Sequence, residues 1–208
     1  MMFPPISFLT ATVTALFVIA ALAAPNDTSL AVKPWEISGV GTHSPSGYPA
    51  NAPYSTLFVS ISDPNHIVLG STRFGDAAFP PSSVNCTVRW LGALENPYGW
   101  VNTCTDINHG KWTVEILPGV VTTSGPQSYS SPTTNFVLRF TLSEAVVLMT
   151  GTIYERFVGT AAFAVGDNMS GSCGGSGVCN WGLKETVVRP VLVNQTLVET
   201  RCLFGSCE

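Results

Sequence analysis

A glycine-rich segment between two cysteines is the place where this sequence comes closest to a catalytic motif. Ser176 lies in Gly174-Gly175-Ser176-Gly177, which invites comparison with the nucleophile of a serine hydrolase. The hydrolase elbow Gly-x-Ser-x-Gly is not met, because Val178 stands where the second glycine should be. The three histidines that could serve as a base have no recognisable context. We therefore expect no catalytic serine, and a glycine-rich loop that lets Cys173 and Cys179 meet in a disulfide.

Histidine and cysteine residues do not form a metal-binding pattern. Neither HExxH nor His-x-His is present, and the histidines are His43, His66 and His109. Cys173/Cys179 and Cys202/Cys207 have spacings that zinc sites also use, but an oxidising compartment favours disulfides. The sequence therefore predicts no metal and no cofactor.

Carboxylates are the third group that could do chemistry, because glycosidases place two of them across a cleft. The acidic residues are spread along predicted loops and outward strand faces, and nothing in their spacing indicates such a pair. They include Glu36, Asp63, Asp76, Glu95, Asp106, Glu115, Glu144, Glu155 and Asp167. We expect a protein without a catalytic site.

Aromatic residues are the best candidates for a binding surface. Alternation places Trp90, Trp100 and Trp112 on the apolar, cysteine-bearing face of their strands, which indicates a core position. Four others lie in or near predicted loops and are the candidate ligand-binding residues: Trp35, Tyr48, Tyr54 and Tyr98.

The beginning of the chain predicts secretion. Residues 1–24 contain no charged side chain, and Ala21-Leu22-Ala23 fits the small-x-small cleavage rule. We predict a signal peptide over residues 1–23, in preference to an uncleaved anchor, because the apolar run is short and no charged flank follows it.

Cysteines and glycosylation sequons agree with this route. The chain has six cysteines, all after Val84. Four Asn-x-Ser/Thr sequons predict glycosylation: Asn26, Asn85, Asn168 and Asn194. We expect a secreted, extracellular glycoprotein of eukaryotic origin.

Charge is low and excludes some classes of partner. Charged residues make up 11% of the chain, the net charge is −4, and there are three lysines. No basic patch can be formed, so nucleic-acid binding is not expected. No second long apolar segment follows the signal peptide, so we expect no membrane association after cleavage.

Apolar residues alternate with polar ones along the remaining chain, which predicts β-strands. The pattern is clearest in Ser55–Asp63, Val84–Leu91, Lys111–Leu117 and Asn135–Leu142. Further predicted strands include Val146–Tyr154, Phe157–Val165 and Thr186–Asn194. About eight to eleven short strands with turns between them predict an all-β fold, a compact antiparallel β-barrel or a flattened sandwich, stapled by disulfides.

The domain boundaries follow from the same pattern. We predict a flexible lead over residues 24–34, a single β domain over 35–194, and a C-terminal tail with a cysteine pair over 195–208. In strand Val84–Leu91, Cys86 points inward and Asn85 outward, and a return strand beginning at Trp100 would bring Cys104 to Cys86 in a hairpin.

The order of these features resembles a known family. Trp35-x-Ile37-Ser38 opens the domain, and a Pro/Gly loop and a strand with Ser55, Phe58 and Ile61 follow. Cys86 and Cys104 lie in partner strands, and a Gly-Thr-Ala strand leads to Cys173, a Gly-rich loop and Cys179. Over roughly Trp35 to Val193 the chain is similar to the Alternaria major-allergen family of fungal secreted proteins.

The resemblance implies a compact β-barrel without an established catalytic site, with the disulfides Cys86–Cys104 and Cys173–Cys179. It also implies an elicitor or effector that engages host defence proteins, or that binds small phenolic ligands at a subunit interface. Two features depart from the family. Nothing before Cys86 is a cysteine that could link a covalent dimer, and the pair Cys202 and Cys207, which we expect to bond to each other, is additional.

We therefore expect a secreted, non-enzymatic fungal protein, allergen-like or effector-like, that binds a host or cell-wall protein or a small apolar ligand. The sequence also allows a non-covalent homodimer. A cell-wall carbohydrate-binding module is the alternative function, and a secreted hydrolase is the third.

Overall fold

The computed structural model describes residues 32–48, 52–92, 94–120 and 129–207. The predicted signal peptide, the Asn26 sequon and most of the predicted lead lie outside these residues. The predicted all-β fold is confirmed. The strands of the described residues are β1 (Trp35–Ser44), β2 (Tyr54–Asp63), β3 (Ile67–Thr72), β4 (Gly75–Phe79), β5 (Ser82–Leu91), β6 (Val101–Thr103), β7 (Gly110–Pro118), β8 (Asn135–Val147), β9 (Gly151–Ala164), β10 (Met169–Cys173), β11 (Cys179–Leu183), β12 (Val191–Val193) and β13 (Gln195–Gly205).

Two antiparallel sheets and one hairpin contain these strands. The first sheet has the order β10-β11-β1-β2-β5, with β12 paired to the beginning of β1. The second sheet has the order β13-β9-β8-β7-β6, and β3 pairs with β4. The ladders of the described residues do not close into a ring, so the architecture is the flattened-sandwich form of the prediction.

One hydrophobic core joins the inward faces of the two sheets. Alternation puts Leu57, Val59 and Ile61 of β2 inward, and the equivalent row of β8 is Phe136, Leu138, Phe140 and Leu142. Trp35 of β1 and Trp112 of β7 meet edge to face within this core, with ring centroids 4.6 Å apart.

The structure pairs all six cysteines as expected: Cys86 with Cys104, Cys173 with Cys179, and Cys202 with Cys207. The expected hairpin around the first pair is wrong, however. Cys86 lies in β5 at the edge of the first sheet, and Cys104 directly follows β6 at the edge of the second sheet. This disulfide therefore joins the two sheets of the sandwich.

Several strand assignments also differ from the prediction, and of the predicted strand Thr186–Asn194 only β12 forms. The predicted strands Val146–Tyr154 and Phe157–Val165 are replaced by β9, one continuous strand, while Val146 belongs to β8. Strands β4 and β10 were not predicted. Most of the predicted C-terminal tail forms β13, which pairs with β9 along nearly its whole length. Strand β13 was not predicted because its residues are mostly exposed, as in many edge strands. Its sequence therefore lacks an alternation of apolar and polar residues.

Candidate functional site

A cleft opens at the end of the sandwich where β1 and β5 finish and β2 and β8 begin. We call it the end cleft. It has a volume of about 510 Å³. Its lining comprises Ser44, Pro45, Ser46, Gly47, Tyr48, Ala52, Pro53, Ser55, Trp90, Leu91, Gly92, Leu94, Ser131, Pro132 and Thr133. Among the described residues, no charged side chain lines it.

Strand ends and a hydroxyl network position the walls of the end cleft. The hydroxyl of Thr42 donates to the carbonyl oxygen of Thr133 at 2.7 Å, and the hydroxyl of Ser44 donates to Thr133 Oγ1 at 3.1 Å. Ser131 Oγ lies 3.3 Å from the same Thr133 atom. These bonds tie the turn before β8 to the end of β1, so this wall is fixed before any ligand arrives.

The opposite wall is closely packed. A Cβ atom on Gly92 would lie 3.2 Å from the carbonyl oxygen of Pro53 and 3.3 Å from Pro45 Cγ, so only glycine fits without displacement. Trp90 is buried at the base of the cleft. The end cleft therefore has an apolar base, prolines in its walls and hydroxyl groups at its rim. Such a lining suits the binding of small, neutral molecules.

The four predicted aromatic candidates do not come together. Tyr48 lines the end cleft and is 63% exposed. The Tyr54 ring instead packs under the Arg89 guanidinium, 3.6 Å from its centroid. Tyr98 Oη bonds Ser130 Oγ at 2.6 Å, and burial raises the pKa of this phenol.

The prediction for Trp35 is wrong, because Trp35 is the first residue of β1 and points into the core, where it is fully buried. The core position predicted for Trp100 is also wrong, since this side chain is 39% exposed. Trp100 precedes β6 rather than lying within a strand, so alternation did not apply to it.

The glycine-rich disulfide loop borders the end cleft. Its Gly177 has a φ of +82°, and its amide donates to the Gly174 carbonyl at 2.9 Å. A Cβ atom on Gly177 would lie 3.6 Å from Ser46, so the loop packs against the cleft wall. His43 Nδ1, near this loop, bonds Asn180 Oδ1 at 2.9 Å, and His109 contacts Glu144 instead of Ser176. Among the described residues, no group of three His, Cys, Asp or Glu side chains has metal-binding geometry.

A buried cluster of acidic residues lies at the opposite end of the core. Glu144 of β8 faces Glu155 of β9 across the ladder, and both are buried, as is Asp63 at the end of β2. His109, in the turn before β7, places its Nε2 3.0 Å from Glu144 Oε1, although the two atoms lack the alignment of a hydrogen bond. We call these four residues the acid–histidine cluster.

Burial controls the ionisation of the cluster. Burial, followed by the nearby Asp63 and Glu155 carboxylates, raises the pKa of Glu144 to about 8. Burial raises the pKa of Glu155 and lowers that of His109, although a bond to the Pro80 backbone opposes the latter shift. The neutral imidazole of His109 and the neutral carboxyl of Glu144 are both favoured, so the contact between them is not an ion pair near neutral pH.

The expectation that the acidic residues lie on loops and outward strand faces is wrong for Asp63, Glu144 and Glu155, which are buried at the inward face. Glu115 does lie on the outward face, although it too is buried, in its ion pair with Arg139. Alternation carried a signal for two of the three inward residues. Glu144 continues the inward series Phe136, Leu138, Phe140 and Leu142, and Asp63 continues Leu57, Val59 and Ile61.

A shallow groove crosses the outward face of the second sheet, with a volume of about 440 Å³. Arg139 and Glu115 form an ion pair there, and Arg156 pairs with Glu199 of β13 at 2.8 Å. Tyr154 lies under the Arg201 guanidinium, 4.9 Å from the ring centroid, and its hydroxyl donates to Ser143. We call this surface the outer groove.

No protein-family model, no curated protein and no solved structure matches the chain. The resemblance to the Alternaria major-allergen family therefore stays a prediction. Within the described residues, no helix is long and apolar enough to cross a membrane.

Proposed function

We propose that the chain is a secreted, non-enzymatic β-sandwich protein that binds a small, neutral and largely apolar ligand in the end cleft. The observation that carries this proposal is the lining of the cleft. Apolar walls, a buried tryptophan floor and a rim of hydroxyls occur together without a charged side chain among the described residues. A volume of about 510 Å³ suits one small organic molecule.

The extracellular location is part of the proposal. Three disulfides in the described residues support it, because such bonds persist in oxidising compartments. The predicted signal peptide and sequons also support an extracellular location. An effector-like role, in which the liganded cleft also meets a host protein, is consistent with Tyr48 and Leu94 at the exposed rim.

Binding of the neutral dye Nile red, followed by fluorescence titration, tests the proposal. Wild-type protein should give saturable binding at one site. Tyr48→Ala and Leu94→Ser remove two exposed lining side chains, and each should weaken dye binding severalfold without changing the melting temperature. Val188→Ser, which removes an equally exposed apolar side chain outside the cleft, is the control. Absence of saturable binding, or equal weakening by the control, would contradict the proposal.

Carbohydrate binding is the second candidate, and the outer groove favours it. Tyr154 offers an aromatic ring, one face of which lies under Arg201. Thr141 and the ion-paired Arg139 offer hydrogen-bonding groups beside it. Retention on insoluble chitin or β-glucan is the test. A carbohydrate-binding protein should be retained and should lose retention in Tyr154→Ala but not in Tyr48→Ala. Lack of retention by wild-type protein would remove this candidate.

A further inference from the structure

Apolar side chains protrude from two neighbouring turns and from the adjoining end of β13, at the end of the sandwich opposite the end cleft. Phe74, in the β3–β4 turn, is 96% exposed. Met149, in the β8–β9 turn, is 71% exposed, and Phe204, in β13 between the paired Cys202 and Cys207, is 76% exposed. Such a concentration of exposed large apolar groups marks a contact surface. We call Phe74, Met149 and Phe204, with the backbone segments that bear them, the apolar tip.

Backbone bonds hold the three segments together. The amide of Met149 donates to the Ser71 carbonyl at 3.2 Å, which joins the β8–β9 turn to the β3–β4 hairpin. The amide of Ser206 donates to the Thr150 carbonyl at 2.9 Å, which joins the disulfide-closed end of β13 to the same turn. The apolar tip is thus preorganised, which lowers the entropic cost of binding.

The chemistry between the turns is apolar with one cation. A recess of about 420 Å³ separates the first two turns, and its lining is Thr72, Arg73, Phe74, Val147, Leu148 and Met149. Arg73 is the charged residue of this lining. The nearest acidic residue along the hairpin is Asp76, which pairs with Ser71 below the turn. The partner must therefore offer an apolar interior close to a negatively charged group.

We propose that the apolar tip docks the protein on a phospholipid surface, with Phe74 and Met149 entering the acyl boundary and Arg73 at the phosphate level. Charge complementarity and size support this occupant. Arg73 matches a phosphate beside an apolar layer. A stable protein interface uses about 20–30 residues a side, far more than these turns present. Side chains that protrude from turns also suit insertion into a lipid layer better than contact with a flat protein surface.

This mode of docking needs no membrane-spanning segment, so it agrees with the absence of a spanning helix in the described residues. It differs from the expectation of no membrane association, which rested on the lack of a second long apolar segment. Single exposed side chains on three separate segments leave no continuous apolar run in a sequence. Only the fold brings Phe74, Met149 and Phe204 to one end.

Vesicle co-sedimentation of the mature secreted protein tests the proposal. Vesicles of phosphatidylcholine alone and of phosphatidylcholine mixed with phosphatidylglycerol would be compared. We expect wild-type protein to bind both and to prefer the mixture. The double variant Phe74→Ser/Met149→Ser should reduce the partition coefficient about tenfold or more. Arg73→Gln should remove the preference for the anionic mixture while keeping binding to phosphatidylcholine.

Val120→Ser/Tyr129→Ser is the matched control, because it removes two similarly exposed apolar side chains near the opposite end. It should bind vesicles like wild type. Failure of wild-type protein to co-sediment, or equal loss in the control, would overturn the proposal.

Sedimentation velocity without vesicles tests whether a second copy of the chain occupies the apolar tip instead. A wild-type dimer that Phe74→Ser/Met149→Ser converts to a monomer would also overturn it. Nile red titration of the same variants reports separately on the end cleft.

Discussion

Glu144 Oε1 lies 3.0 Å from His109 Nε2 at a point where the Glu144 side chain is only 2% exposed. Glu144 and Glu155 also face each other across the β8–β9 ladder, with Asp63 nearby. No lysine or arginine forms an ion pair with these carboxyls among the described residues. Ionisation of Glu144 therefore places an uncompensated charge in the core, which makes this end of the sandwich sensitive to pH.

The first prediction concerns the pH range between 4.5 and about 8. The pKa of Glu144 is raised from 4.5 to about 8, so folding favours the protonated carboxyl. This contribution to the free energy of unfolding is fully present below the unfolded-state pKa and is lost progressively as pH rises from 4.5 through about 8. We expect urea titrations to show a loss on the order of 3–5 kcal/mol from Glu144 across this range.

Glu144→Gln tests this assignment, because glutamine keeps the shape and cannot ionise. The variant should flatten the decline between pH 4.5 and about 8, whereas Glu185→Gln, at an exposed position, should keep it. An unchanged decline over this range in Glu144→Gln would show that another group is responsible.

The titration of His109 acts in the opposite sense. Its lowered pKa gives stability that is present above pH 6.5 and is lost as pH falls below that value.

The second prediction concerns the glycine opposite this cluster. A Cβ atom on Gly110 would lie 2.4 Å from the Ser143 carbonyl oxygen and 2.9 Å from Glu144 Cγ. Gly110→Ala must displace β8 backbone and should lower the free energy of unfolding by about 1–3 kcal/mol. Gly39→Ala is the control, because nothing lies within 4 Å of its added Cβ atom. Equal melting temperatures for Gly110→Ala and Gly39→Ala would show that β8 does not pack closely against Gly110.

Alternation predicted most of the core because apolar side chains on one strand face leave a clear period of two. It did not predict the acid–histidine cluster, since Glu144 and Asp63 were judged by charge rather than by position in the series. A charged residue in an apolar run also resembles a turn. That is why the continuous strand β9, which contains Glu155 and Arg156, was divided into two predicted strands.

The end cleft and the apolar tip could not be predicted from the sequence, for a different reason. Their residues come from separate turns and strand ends, and only the pairing of distant strands brings them together. Tyr48 was recognised as a loop aromatic, but nothing local indicates that it faces the same space as Trp90 and Thr133. Likewise, the edge strands β10 and β13 carry too few buried residues to show a pattern.

The third prediction concerns the disulfide between the two sheets. Cys86–Cys104 closes the edge between β5 and β6, and both residues are buried. Cys86→Ser/Cys104→Ser should lower the free energy of unfolding by about 2–5 kcal/mol. Thermal unfolding of the purified variant measures the loss. Ser176→Ala, in the exposed glycine-rich loop, should melt like wild type. Wild-type melting of the cysteine variant would show that this bond does not stabilise the sandwich.

The fourth prediction distinguishes the sequons of the described residues. Asn168 Nδ2 donates to the Ala162 carbonyl at 2.8 Å, and its Oδ1 accepts from the Ala164 amide at 2.9 Å. A glycan on Nδ2 would disrupt this turn, whereas Asn85 and Asn194 are exposed. We expect glycans at Asn85 and Asn194 and little or none at Asn168.

Peptide mapping after enzymatic deglycosylation in heavy-oxygen water measures occupancy at each sequon. Asn85→Gln and Asn194→Gln should each remove one glycan and keep the fold, because neither side chain supports a turn. Asn168→Gln should remove no glycan and should cost about 1–3 kcal/mol, since its two backbone bonds close the β9–β10 turn. High occupancy at Asn168 in folded, secreted protein would contradict this prediction, because it would show that Nδ2 can carry a sugar in spite of its bond to the Ala162 carbonyl.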